Sequence, residues 1–119
     1  MGIRRLAYQE EQIIIALHWR GWTKTADADA YESMLREKVL PGMREINGYR
    51  GGYVLRKECD EESEFVVVNL FESLDAVKSF ADTDYDVAVF EPEARILLCR
   101  IEPTATHYNV RACTVQETA

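Results

Sequence analysis

The sequence predicts an α+β fold in which a four-stranded antiparallel sheet carries its helices on one face. Three observations lead there. Stretches rich in β-branched and aromatic residues fall at 12–22, 49–57, 64–71 and 106–115. Between them the apolar period changes to that of a helix. The resulting order, β-α-β-β-α-α-β, is a hairpin flanked by two crossover units, which is the split βαβ, or ferredoxin-like, plan.

The first strand, QIIIALHWRGW, ends at Gly21, Trp22 and Thr23. In DADAYESMLREKVL the residues Tyr31, Met34, Leu35 and Val39 share one helical side, Asp27 and Asp29 suit its positive N-terminus, and Glu32 to Arg36 is an i,i+4 pair. Pro41-Gly42 should kink or end this helix over 27–40, and Asn47-Gly48 offers a left-handed stop. YRGGYVLRK and EFVVVNLF read as two strands joined by the polar segment ECDEES, an antiparallel hairpin. Ser73 is a plausible N-cap for SLDAVKSFAD, with Leu74, Val77, Phe80 and Ala81 on one side. Pro92 suits a helix's first turn, so PEARILLCRI is expected to form two to three buried turns before the last strand, THYNVRACTV.

Composition bounds the function. The 119 residues carry 14 Lys+Arg against 21 Asp+Glu, a net charge of −7, with 47% apolar and 29% charged residues. A chain this long buries roughly two-thirds of its unfolded surface, enough for one core. We expect an arm over 1–11, a single domain over 12–112 and a tail over 113–119. An acidic chain whose only basic pair is Arg4-Arg5 has little to offer a phosphate backbone or an anionic membrane, so neither is an expected partner. The longest apolar run, Ile13 to Leu17, is far short of the ~20 residues of a membrane span. MGIRRLAYQEEQ has no apolar signal core, so the expected location is cytoplasmic. Cys59, Cys99 and Cys113, odd in number and widely spaced, read as reduced thiols rather than a disulfide or zinc framework.

The strands look apolar on both faces. The first places Ile13, Ile15, Leu17 and Trp19 opposite Ile14, Ala16 and Trp22, and the third places Phe65, Val67 and Phe71 opposite Val66, Val68 and Leu70. Helices cover one face only, so a homodimer with sheets packed face to face is expected to cover the other.

The common nucleotide, hydrolase and zinc-protease motifs are missing from the sequence. Gly48, Gly51 and Gly52 fit a turn followed by a β-bulge, with close approach to a ligand as the alternative. Two histidines, His18 and His107, lie in expected strands, and each is a candidate general base or haem ligand as well as an ordinary strand residue. His107 shares a face with Asn109 and Arg111 by alternation. No local spacing points to a metal, and none is expected. Trp19, Trp22, Tyr31, Tyr53 and Tyr85 can wall a pocket between sheet and helices or serve as core, and Arg20 or Arg95 can orient a ligand.

The strings IIIALHWRGW, REKVLPGMREINGYRGGYVLRK, EFVVVNLFESLDAVKSFAD, DYDVAVFEPEAR and THYNV, in this order over about residues 12–112, resemble the antibiotic biosynthesis monooxygenase family of dimeric α/β-barrel proteins. The family includes cofactor-free quinone-forming monooxygenases, haem-degrading monooxygenases and members without an assigned activity. The cofactor-free reaction implies a small aromatic or quinol substrate, deprotonated in an aromatic pocket, whose anion reduces dioxygen. His107 or His18 would then be the base, Arg20 or Asn69 the anion partner, and Trp19, Trp22, Tyr31, Tyr53 and Tyr85 the walls. Haem degraders resemble one another in an Asn-Trp-His set with a helical histidine, and this sequence departs from it with His18-Trp19 on a strand. The expected function is a cofactor-independent monooxygenase with no bound cofactor. A non-catalytic small-molecule binding module and a haem-binding monooxygenase are the alternatives.

Overall fold

The computed structural model describes residues 14–81 and 92–114. Five strands form one sheet: β1 (Ile15–Lys24), β2 (Tyr49–Glu58), β3 (Glu62–Phe71), β4 (Leu98–Ile101) and β5 (Thr106–Asn109). The order is β2-β3-β1-β4, with β5 also on β1 and every pairing antiparallel. This is the expected α+β ferredoxin-like plan with one strand more. The extra strand comes from an interrupted edge, since β5 pairs along Ile15 to His18 and β4 along Gly21 to Thr23 of the same strand. Pro103 lies between the two pieces and has no N–H to give the ladder.

The expected helix over 92–101 is corrected. Helix α4 covers only Pro92–Leu97, with Ala94 its one buried residue and Ile96 82% exposed, and Leu98–Ile101 is strand. The open edge of β1 supplies backbone partners that outweigh the helical composition of this stretch. The last strand also stops at Asn109 rather than running to 115. In the hairpin, β2 and β3 reach further than expected and leave only residues 59–61 as the turn, closed by Cys59 N–H donating to the Glu62 carbonyl at 2.8 Å.

The helical segment after β1 is continuous through Pro41. A 3₁₀ turn (Thr25–Asp27), α1 (Ala28–Met34), a π turn (Leu35–Val39) and α2 (Leu40–Met43) follow one another. Pro41 lacks the N–H that would bond the carbonyl four residues back and its ring crowds that carbonyl, so the preceding turn widens instead of the helix ending. Beyond it Gly48 sits at φ 92°, and a β-carbon there would meet Cβ of Ala76 at 2.6 Å. Glycine is required at Gly48 on both counts. Ser73 caps α3 (Leu74–Ala81) as expected, its Oγ accepting from Ala76 N–H at 3.1 Å.

The helices pack on the sheet face that carries Ile15, Leu17, Trp19, Phe65 and Phe71, all buried. Tyr31 meets Phe65 edge-on with centroids 4.8 Å apart, and Phe80 stacks on Phe71 at 5.8 Å. The opposite face carries Ala16, His18, Arg20 and Trp22 from β1, with Val66, Val68 and Leu70 from β3. Tyr53, Leu55 and Tyr108 on this face are each more than half exposed. Among the described residues no helix is long and apolar enough to cross a membrane.

Candidate functional site

Between the sheet and the helical segment lies a cavity of about 370 Å³. Leu17, Trp19, Val67 and Asn69 form its sheet side, and Tyr31, Met34, Leu35, Lys38, Val39 and Met43 its helical side. Phe80, Pro92, Ala94 and Ala105 complete the apolar wall. Such a lining, apolar with a few polar groups, is what small organic ligands select.

The polar feature of the sheet side is Asn69, which is buried. The Tyr49 hydroxyl donates to Asn69 Oδ1 at 3.3 Å. The β2 bulge between Tyr49 and Gly51 brings Gly52 opposite Asn69, and a β-carbon on Gly52 would lie 2.6 Å from Asn69 Oδ1 and 2.9 Å from the Tyr49 hydroxyl. Glycine at 52 therefore leaves room for the Tyr49–Asn69 pair. With Oδ1 turned toward β2, the amide Nδ2 is the donor left for a cavity occupant. Burial pushes the Tyr49 hydroxyl up from its ordinary range, and the nearby Arg44 charge offsets part of that.

Trp19 is anchored at the opposite edge, where its indole N–H donates to the Glu102 carbonyl at 2.7 Å. Its ring lies against Gly21, where a side chain would collide with it. Tyr31 is almost fully buried and burial raises its pKa well above the ordinary phenol range, so it stays neutral. Lys38 holds the cavity mouth, with Nζ 2.9 Å from both carboxylate oxygens of Glu93 on α4.

The cavity brings together Trp19, Tyr31 and Asn69 of the residues singled out from sequence. His107 pairs in register with Leu17 and so shares the cavity's side of the sheet, half-buried beside a lining residue. His18, Arg20, Trp22 and Tyr53 lie on the other face. There His18 meets Tyr108 edge-on at 6.4 Å, and Arg20 pairs with Glu102 at 2.9 Å. Trp22 sits between the Arg20 and Arg100 guanidiniums, 5.4 and 3.9 Å from its ring. Arg95 is exposed on α4 and does not line the cavity. Tyr85 lies outside the described residues. The cysteines are free and exposed, and no cluster among the described residues fits a metal.

Sequence reasoning missed Lys38 and gave Tyr49 no specific role, while it placed Gly52 in a turn followed by a β-bulge, with close approach to a ligand as the alternative. A signal existed for Lys38, a lone cation in the apolar stripe of Leu35, Val39 and Met43.

No protein-family profile and no curated protein matches the chain. Solved structures do. A Bacillus cereus protein provisionally described as an antibiotic biosynthesis monooxygenase superposes with a TM-score of 0.59 at 14% identity, over 90% of this chain and 99% of that one. A Chloroflexus aurantiacus protein with the same provisional description gives 0.55 at 14% identity, over 87% and 97%. SnoaB from Streptomyces nogalater, a cofactor-independent oxygenase, gives 0.49 at 12% identity over 87% and 96%. The chain shares the fold of antibiotic biosynthesis monooxygenase proteins.

Proposed function

We propose that the cavity binds a small aromatic or quinol-type molecule and that the protein oxidises it with dioxygen, without a bound cofactor. The observation that carries this reading is the buried Asn69 amide on the wall of a mostly apolar chamber, its Oδ1 already bonded by the Tyr49 hydroxyl and its Nδ2 donors therefore available to a ligand. The fold shared with the Bacillus and Chloroflexus proteins supports it.

In the proposed reaction a phenol or enol loses its proton to His107, reached through water because His107 stands beside the cavity wall. The substrate oxyanion accepts from Asn69 Nδ2, a preorganised donor in a low-dielectric site. The electron-rich anion reduces dioxygen, and for a methylene substrate the balance is CH₂ + O₂ → C=O + H₂O. Trp19 and Tyr31 confine the ring. His18 faces away and has no part in this scheme. No histidine lines the cavity as an axial haem ligand, since His18 lies on the far face and His107 stands beside the wall, so the haem reading finds no support in the histidines. The test is oxygen uptake against anthrones and hydroquinones, with loss of uptake in Asn69→Leu and His107→Ala as the expected result.

A second reading, a non-catalytic binding module, is favoured by one observation: neither histidine lines the chamber. Ligand-induced stabilisation without oxygen uptake would select it.

The proposal includes a homodimer, supported by the exposed Tyr53, Leu55 and Tyr108 on the sheet face that the described helices leave bare. The three free thiols suit a reducing, cytoplasmic setting.

A further inference from the structure

We infer that Lys38 selects ligands carrying a carboxylate, so that the cavity takes an aromatic acid, its ring inside and its carboxylate at the mouth on Lys38. The inference rests on the cavity reading above and names the substrate class.

Lys38 occupies a position that the helix gives to apolar residues. Leu35 and Val39 of the same π turn line the cavity with it, and Gly42 follows on the same wall. Among the described lining residues Lys38 alone is charged at neutral pH, Tyr31 being held neutral by burial. A lysine in such a stripe buries its methylene stem along apolar surface and carries its ammonium to the rim. π turns inside α-helices are frequent at functional sites.

What Lys38 meets at the rim defines the ligand. Its Nζ lies 2.9 Å from each carboxylate oxygen of Glu93, whose neighbours Pro92 and Ala94 line the cavity. The carboxylate of Glu93 thus marks where a ligand carboxylate would sit. The two side chains are 59% and 55% exposed, and an ion pair that open to water holds weakly, so a ligand can displace it. A ligand carboxylate arrives with ring burial behind it, which Glu93 lacks. Glu93 is accordingly a built-in competitor, and removing its charge should favour the ligand. The ring hydroxyl of the same ligand would face Asn69, where the sheet side is polar.

Calorimetric titration of the full chain with anthraquinone-2-carboxylate and with its methyl ester tests this. In the wild type the acid should bind more tightly than the ester. Lys38→Met should lower the acid-to-ester affinity ratio about tenfold, the scale of one charge-assisted hydrogen bond, and Glu93→Gln should raise it several-fold. A ratio unchanged in both variants, with both compounds still bound, overturns the role of Lys38 and leaves the cavity reading standing. Failure of the wild type to bind either compound overturns both. Circular dichroism of the variants confirms the fold, which a rim substitution does not disturb.

Discussion

The Tyr49 hydroxyl donates to Asn69 Oδ1 at 3.3 Å, which leaves the Nδ2 donors of that buried amide for another partner. Asn69→Leu removes the donor while keeping the volume. The expected result is a fall of about 10²–10³ in kcat, the usual scale for one oxyanion donor, with a smaller loss in Tyr49→Phe, which frees the amide to turn. Equal activity in all three proteins would remove Asn69 from the chemistry.

Gly52 and Gly42 make a matched pair. A β-carbon at 52 lies 2.6 Å from both Asn69 Oδ1 and the Val68 carbonyl, whereas one at 42 meets nothing within 4 Å. Gly52→Ala should cost about 1–3 kcal/mol through overpacking. Gly42→Ala, in helix α2, should instead stabilise by roughly 0.5–1 kcal/mol. Denaturant titrations measure both, and the same sign at both positions would contradict the packing described.

Tyr31 predicts an alkaline limit to stability. Its pKa is raised by burial above the value of 10.0 for a free phenol, so at high pH the unfolded chain loses a proton that the folded chain keeps. Its contribution is whole below about pH 10 and declines as pH rises beyond the unfolded value. Tyr31→Phe should flatten the fall of melting temperature between about pH 9 and 11. An identical slope in the two proteins would place the alkaline loss elsewhere.

The outer sheet face predicts self-association. Light scattering at micromolar concentration should give twice the chain mass of 13.7 kDa, and Leu55→Asp, on a residue 52% exposed in the single chain, should halve it. A single-chain mass for the wild type would overturn the dimer.

The β1, β2 and β3 strands and the helix carrying Tyr31 and Leu35 were legible because their periods are sustained over ten or so residues. Leu98–Ile101 was not, since a short apolar run pairs as strand only where a neighbour leaves an edge open, and β1 does so. The site was half legible. Asn69 stands out as the polar residue within the apolar run FVVVNLF, yet the faces could not be ranked because both are apolar. Parity nonetheless separates Trp19 from His18, Arg20 and Trp22, so those four residues could not have shared one pocket. Lys38 was hidden because a lysine among apolar helix positions ordinarily reads as a solvated side chain.

Oxygen uptake by the purified protein against a panel of hydroquinones, anthrones and polyphenols, with autoxidation subtracted, is the most direct test. Uptake above background that disappears in Asn69→Leu is the predicted result. No uptake across the panel, while some of the same compounds still raise the melting temperature, would contradict monooxygenation and leave a binding module.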